Sequence, residues 1–200
     1  NVAPSGTSYT KEAWVKAAST SCENIVSSNQ NPFWITGNKL SAGNGNTYSV
    51  VTDPNTFPAN TWTHVAVTYD ASSNTMRLYR NGTQVAVNTS SPGNSGGVTA
   101  IGKHYAGGCN YNGLINEVRI WDYARSASEI ASNSGTTLYG NESGLTAYYP
   151  MEEGSGSGTA DVTGNGYNGT FVSMGTSPWV ASNGITSVTG LNTVTLTVVD

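Results

Sequence analysis

Residues 113–133, GLINEVRIWDYARSASEIASN, decide how this chain folds. Side chains in the first part alternate between two faces, which predicts a β-strand with one apolar face and one mixed polar and aromatic face. Ser126 and Glu129 then have the S-x-x-E spacing, in which each side chain satisfies a free backbone N–H at the start of a helix. We therefore predict a strand that runs into one short helix near residues 126–133. The predicted apolar face comprises Leu114, Asn116, Val118 and Ile120, and the other face comprises Ile115, Glu117, Arg119 and Trp121.

The composition favours a folded β protein with many turns. Charged residues make up 10% of the chain and aromatic residues another 10%, whereas disordered chains combine high net charge with few aromatics. Glycine, serine, threonine and asparagine, which favour turns, are abundant. The net charge of -4, without any cluster of Lys or Arg, argues against nucleic acid as a partner. No apolar run approaches the roughly 20 residues that span a bilayer, which argues against membrane insertion.

Three stretches carry specific motifs. Residues 62–86, WTHVAVTYDASSNTMRLYRNGTQVA, combine an alternating strand with Asn81–Gly82, a dipeptide that favours a two-residue hairpin turn. Residues 112–130 contain the strand and helix described above. Residues 144–171, GLTAYYPMEEGSGSGTADVTGNGYNGTF, contain a strand and a D-x-x-G-N-G-x-N-G-T loop. Together they resemble laminin-G-like domains, the concanavalin A-like jelly rolls, over about residues 9–180. This resemblance implies an all-β, two-sheet antiparallel jelly-roll sandwich with one short helix.

Two features depart from that family pattern. Lys11 stands where relatives usually have an apolar residue, which suggests that residues 9–17 form an edge strand or lie at a locally open face. The segment that begins near Leu145 comes first in many relatives but follows the helix here. It either supplies the missing strand and closes the sheet or begins a second, truncated repeat. We favour closure, because half a repeat could not bury its own apolar face.

The domain organisation follows from the same pattern. We assign residues 1–184 to one laminin-G-like jelly roll. Residues 185–200, ITSVTGLNTVTLTVVD, alternate like a β-strand and form either a C-terminal strand or a linker to a following module. The first ten residues, NVAPSGTSYT, lack the charged and apolar regions of a signal peptide. They fit the cut edge of a mature protein or of a module from a longer chain with flanking domains.

Two cysteines bear on the cellular location. Cys22 and Cys109 have no CxxC or Cys/His spacing, so a zinc site is not indicated. A disulfide between them fits a secreted or cell-surface protein, and two free thiols are the alternative.

The residues expected of an enzyme of this fold are missing. Jelly-roll glycosidases need two carboxylates that face each other, but Glu117 and Asp122 point to opposite faces of one strand, and the adjacent Glu152 and Glu153 diverge. Ser95 has G-x-S-x-G spacing in Gly93–Gly97, but it lies in a Gly/Ser/Pro loop and not at the strand-to-helix turn that presents a nucleophile. We therefore predict a non-catalytic domain, with a polysaccharide-active enzyme as the less favoured alternative.

A calcium site is predicted in the loop that begins at Asp161. Calcium takes oxygen ligands from acids, amides and carbonyls in turn-rich loops. Asp161 and Asn165 supply an acid and an amide close together, and laminin-G-like relatives often bind a calcium ion. Glu117 could contribute from across the sheet. The alternative is that Asp161 only caps a turn through its own backbone.

Aromatic residues in loops provide the candidate ligand site. Sugar rings pack their apolar faces on flat aromatic side chains, with amides and hydroxyls around them, and loops on a rigid β scaffold usually carry such groups. Trp14, Trp62 and Trp121 are assigned to packing on the sheet, and His64 to a structural role. The predicted ligand-binding residues are Trp34, Asn44, Asn46, Tyr48, His104, Tyr105, Asn110 and Tyr111.

The sequence thus favours a non-catalytic module that recognises carbohydrate or a cell-surface glycan in adhesion. Calcium is its possible cofactor, and a larger secreted or cell-surface protein is its expected context. The second hypothesis is a structural spacer module without a small ligand.

Overall fold

A computed structural model describes residues 6–28, 31–94, 96–104, 108–172, 179–182, 185–189 and 193–196 of the chain. These residues form many short β-strands and one short helix, as the sequence predicts. The strands are β1 (Tyr9–Ala17), β2 (Cys22–Asn24), β3 (Val26–Ser28), β4 (Phe33–Thr36), β5 (Lys39–Asn44), β6 (Thr47–Thr52), β7 (Thr63–Asp70), β8 (Thr75–Arg80), β9 (Thr83–Asn88), β10 (Thr99–Ile101), β11 (Gly113–Trp121), β12 (Leu145–Tyr149), β13 (Gly158–Thr159), β14 (Gly169–Val172), β15 (Trp179–Ser182), β16 (Ile185–Thr189) and β17 (Thr193–Leu196), and the helix is α1 (Ala127–Asn133).

The strands form a sandwich of two layers. One layer is an eight-stranded sheet in the order β15-β16-β11-β1-β7-β8-β9, with β12 also paired to β11. The opposite layer is divided into a five-stranded sheet, β13-β14-β17-β10-β3, and a four-stranded sheet, β2-β4-β5-β6. One continuous apolar core includes Val67 and Ile120 from the large sheet and Ile35 and Ile101 from the two smaller ones. The predicted jelly-roll sandwich is confirmed, with its second layer split into two sheets.

A β-bulge changes the predicted faces of β11. Between the pairs Glu12–Arg119 and Trp14–Asn116, β11 contains one residue more than β1, and Glu117 has a φ of 53°. An extra residue reverses the alternation of side chains. Ile115 therefore packs in the same core as Val118 and Ile120. The prediction that Leu114 and Asn116 share the core face was wrong, because single-sequence alternation cannot reveal a bulge.

The helix begins as the sequence predicts. The side chain of Ser126 accepts from the backbone N–H of Glu129, and Glu129 accepts from the backbone of Ser126, which completes a capping box. Ile130 is fully buried and packs with Ala66 and Tyr79. The helix therefore lies against the outer face of the large sheet.

Lys11 is buried in a central strand. Strand β1 lies between β11 and β7, so the prediction of an edge or open position was wrong. The Lys11 side chain is 1% exposed, and its Nζ donates to the carbonyl oxygens of Val26 (3.3 Å) and Asn31 (2.7 Å) and to Ser28 Oγ (3.3 Å). These acceptors replace water in the interior. Burial lowers the pKa of Lys11 to about 7.

The C-terminal third contributes strands to both layers. Strand β12 pairs with β11, and Tyr148 and Tyr149 on it are fully buried, so the closure predicted for this segment is what the structure shows. Strand β16 pairs with β11, and β17 pairs with β10 and β14. The sequence left open whether residues 185–200 form a strand or a linker, and the described part forms these two strands.

Candidate functional site

Three predicted ligand-binding side chains form an aromatic cluster, which comprises Trp34, Tyr48 and His104. The ring centroids of Trp34 and Tyr48 are 6.3 Å apart, and those of Tyr48 and His104 are 5.8 Å apart. Tyr48 is 54% exposed, and the other two rings are partly exposed. The three residues come from distant parts of the sequence, so the fold brings them together.

The four-stranded sheet positions Trp34 on its outer face. Phe33 and Ile35, its neighbours on β4, are fully buried in the core, so Trp34 points the other way. Across the sheet, Trp34 pairs with Asn24 on β2 and with Ser41 on β5. The tryptophan therefore stands on a rigid strand with polar side chains on either side.

The indole nitrogen of Trp34 lies below the surface of the cluster. Its Nε1 is buried, and nowhere in the described ranges does a partner accept from it. The exposed part of Trp34 is therefore the face and edge of its ring.

A disulfide holds the loop of His104 against this sheet. Cys22 on β2 and Cys109 are joined, with their Cα atoms 4.9 Å apart, as the sequence predicts. The carbonyl oxygen of Cys109 also accepts from the backbone N–H (3.0 Å) and from Nδ2 (3.3 Å) of Asn24. The loop that carries His104 is thus attached to the strand next to Trp34. Burial lowers the pKa of His104, which favours its neutral imidazole.

Two predicted ligand-binding residues are buried. Asn44 is fully buried; its Oδ1 accepts from Tyr9 Oη (3.0 Å), and its Nδ2 donates to the carbonyl oxygen of Pro92 (3.1 Å). Tyr111 is 1% exposed and belongs to the core, and its backbone N–H closes the loop by donating to Gly102 (2.7 Å). The structure therefore places both side chains in the interior, which loop composition alone does not show.

The remaining members of the predicted site lie in different places. Asn46 is exposed in the turn between β5 and β6, with a φ of 69°. Asn110 is exposed beside the disulfide. Tyr105 lies outside the described residues.

Asp161 organises its own loop. Its carboxylate oxygens accept from the backbone N–H groups of Tyr148 (3.1 Å), Thr163 (3.1 Å) and Tyr167 (3.2 Å) and from Thr163 Oγ1 (2.8 and 2.9 Å). Asn165 Nδ2 donates to the carbonyl oxygen of Thr146 (3.0 Å). This arrangement matches the alternative in which Asp161 caps a turn. A cation here would have to replace several of these donors.

Glu117, the third predicted calcium ligand, is bonded to residues outside the Asp161 loop. Its carboxylate accepts from Arg119 Nη2 (2.6 Å) and from Tyr148 Oη (2.8 Å). Asp161 contacts the backbone of the same tyrosine, so the two carboxylates lie at opposite ends of Tyr148. Within the described ranges, no three His, Cys, Asp or Glu residues are grouped to hold a metal ion. Calcium binding at Asp161, Asn165 and Glu117 stays a prediction.

A cavity of about 270 Å³, which the sequence does not predict, lies on the outer face of the large sheet. Trp14 and Trp62, which the sequence assigned to packing, both line it. The alternation of β1, which places Trp14 opposite core residues, was the available signal. The other lining residues are Asn116, Glu117, Arg119, Gly135, Thr136, Thr137 and Glu152.

A buried ionic network lies beside this cavity. Glu12 accepts from Arg125 Nη1 at 2.6 Å and contacts His64 Nε2 at 3.3 Å. Burial of Glu12 acts to raise its pKa, but the close contact with His64 and the charge of Arg125 outweigh burial and lower the pKa. His64 packs edge-on against Trp14. The network therefore supports the strand from which Trp14 projects, which agrees with the structural role predicted for His64.

Comparison with known proteins identifies the family. A sequence profile for the concanavalin A-like lectin/glucanases superfamily matches residues 1–131. The chain belongs to this superfamily. The matched part of this concanavalin A-like domain ends within α1, so the profile covers the aromatic cluster and excludes the Asp161 loop. A comparison with curated proteins finds no significant match.

Solved structures share this concanavalin A-like fold. A Bacteroides ovatus protein, provisionally assigned to carbohydrate binding, is 25% identical, with a TM-score of 0.70 over 85% of this chain. The match spans 53% of that protein, so this chain corresponds to about half of its length. Domain 4 of an extracellular arabinanase from Geobacillus stearothermophilus, solved with arabinotriose, is 23% identical (TM-score 0.53; 64% of this chain and 69% of that one). A Ruminococcus gnavus sialidase module, CBM40, bound to sialyllactose, is 15% identical (TM-score 0.52; 64% and 83%).

Proposed function

We propose that this domain is a non-catalytic glycan-recognition module and that it binds sugar at the aromatic cluster of Trp34, Tyr48 and His104. The observation that carries the proposal is the convergence of these three rings, partly exposed, on the outer face of a rigid sheet. A sugar ring has apolar faces formed by C–H groups, and it gains by packing them on aromatic surfaces.

Polar groups around the cluster suit a hydroxylated ligand. Ser41 and Thr52 are joined through their hydroxyls (3.0 Å) on the same face of the sheet. A few polar groups around an apolar surface fix the orientation of a bound ligand. These groups support the proposal that a sugar binds at this surface.

The proposed context is a larger secreted or cell-surface protein, in which the domain contributes to adhesion. The Cys22–Cys109 disulfide supports this, because disulfides persist in oxidising compartments. The Bacteroides ovatus relative, about twice as long as the matched region, supports a multidomain context. Among the described residues, no helix has the length and apolarity that a membrane crossing requires.

Calcium enters the proposal as a stabiliser of the Asp161 loop and not as a bridge to the ligand. The support is the chemistry of that loop, in which acid, amide and carbonyl oxygens lie close together. Differential scanning fluorimetry with calcium and with EDTA tests it. A higher melting temperature in calcium, absent from Asp161→Ala, is the expected result, and equal melting temperatures would refute this part.

A glycan array followed by calorimetry tests the binding proposal. We expect at least one glycan to bind, and we expect Tyr48→Ala to weaken it roughly tenfold, which corresponds to about 1.4 kcal/mol. The matched control is Tyr139→Ala, because Tyr139 is 91% exposed and lies outside the aromatic cluster. An array without any hit would contradict the proposal, as would equal losses in the two variants.

A further inference from the structure

The cavity on the outer face of the large sheet is lined by side chains of the sheet and by the segment that follows the helix. Trp14 projects from β1, Arg119 from β11, and Trp62 precedes β7, so the tryptophans belong to or adjoin neighbouring strands. The segment after α1 closes one side and includes Thr136 and Thr137. A volume near 270 Å³ is at the small end of ligand pockets, which suits a ligand about the size of one sugar ring.

Direct contacts hold this cavity open. Trp14 Nε1 donates to the carbonyl oxygen of Ser134 (2.7 Å), and Arg119 Nη1 donates to that of Asn133 (2.8 Å). Arg119 Nη2 also donates to the carbonyl oxygen of Thr136. These bonds fix the segment after the helix onto the sheet. The cavity is therefore organised before a ligand arrives, which reduces the entropy cost of binding.

The charges around the cavity favour a neutral ligand. Glu117 and Arg119 neutralise each other at 2.6 Å. Glu152 is exposed at the cavity. A single carboxylate at the surface binds a cation only weakly in water. Two indole rings with carboxylate and threonine oxygens instead provide an apolar surface beside acceptors for hydroxyl protons.

We infer that this cavity is a second sugar subsite, which takes a single neutral sugar residue, such as a chain end, against Trp14 and Trp62. It lies on the opposite outer face of the sandwich from the aromatic cluster, so one domain can engage two glycan chains. Two linked binding events raise the effective affinity for a dense glycan surface. The inference shares its ligand class with the proposed function but uses none of the same residues.

Fluorine NMR of the intact domain labelled with 5-fluorotryptophan tests both sites in one sample. The chain has five tryptophans, so their signals are assigned with single Trp→Phe variants. The probes are methyl glycosides of common hexoses, pentoses and N-acetylhexosamines, with butylammonium as a cationic comparison. We expect at least one glycoside to shift the Trp62 signal saturably. The same shift should persist in Tyr48→Ala, because Tyr48 belongs to the other site.

Variants within the cavity sharpen the test. Glu152→Ala should weaken this response. Trp62→Ala removes the reporting fluorine, so its effect is read at the signal of Trp14, which lines the same cavity, and the affinity should fall roughly tenfold. Glu152 is exposed, so its variant should fold even if Trp62→Ala does not. The control Trp34→Phe should leave the Trp62 response unchanged.

Each outcome separates the two proposals. A Trp34 response without a Trp62 response would overturn the second subsite and leave the proposed function standing. A Trp62 response without a Trp34 response would support the second subsite and overturn sugar binding at the aromatic cluster. Silence at both signals would overturn both, and a Trp62 response to butylammonium alone would overturn the assignment of a neutral sugar.

Discussion

Replacing the buried lysine by methionine should flatten the pH dependence of stability. Lys11 lies in the sandwich interior, and no described carboxylate forms a salt bridge with it. Desolvation lowers its pKa from 10.5 to about 7 in the native state. The unfolded chain keeps the ordinary value. Lys11→Met has a side chain of similar length that does not titrate.

The sign and size follow from proton linkage. Between about pH 7 and about pH 10.5 the unfolded chain binds a proton that the native protein does not, so stability rises with pH. The difference between the two pKa values corresponds to about 5 kcal/mol. About 2 kcal/mol of this should be recovered between pH 7 and pH 9, and below pH 7 the contribution of Lys11 should level off.

Urea denaturation followed by tryptophan fluorescence measures this difference. We expect the wild-type free energy of unfolding to rise by about 2 kcal/mol more than that of Lys11→Met between pH 7 and pH 9. The series should stop at about pH 9, because burial raises the pKa of Tyr111 and unfolded tyrosines begin to ionise above that pH. Parallel curves for the two proteins would refute the assignment of a neutral buried lysine.

Three further predictions concern stability. Replacing both Cys22 and Cys109 by serine opens a link across 87 residues; the chain-entropy argument predicts a loss of about 4–5 kcal/mol, and an unchanged denaturation midpoint would exclude it. Ser126→Ala removes the helix cap and should cost about 1 kcal/mol, whereas Ser126→Asp should retain most of the stability in the same assay. Asp161→Asn places an amide among N–H donors and should lower the free energy of unfolding by about 1–3 kcal/mol; retention of wild-type stability would contradict its turn-organising role.

The strand-to-helix junction shows what local sequence can predict. The Ser126 side chain accepts from the backbone N–H of Glu129, and the Glu129 side chain accepts from the backbone N–H of Ser126. This pair of hydrogen bonds depends on a spacing of three residues. The alternation of β7 is equally local and equally reliable. The core of the sandwich could therefore be predicted from short-range patterns together with the family resemblance.

Long-range geometry accounts for the errors. The bulge at Glu117 depends on how β11 pairs with β1, which alternation in one strand cannot show. Lys11 violates the expected apolar pattern because carbonyl oxygens from β3 and Asn31 converge on its amine. Such compensation is visible only when the two layers are assembled.

The candidate site was predicted only in part for the same reason. Trp34, Tyr48 and His104 were chosen from loop composition, and the fold brings them together. Asn44 and Tyr111 came from the same loops, but both point inwards and serve the core. Trp62 was assigned to packing, although it lines a cavity. Composition identifies the right kinds of residue, and only the fold decides which way each side chain points.

A crystal structure of the domain with the strongest hit of the glycan array tests the central claim most directly. We predict a sugar ring packed on Trp34 and Tyr48. A ligand bound only elsewhere on the domain, with the Trp34–Tyr48 surface bare, would contradict the claim.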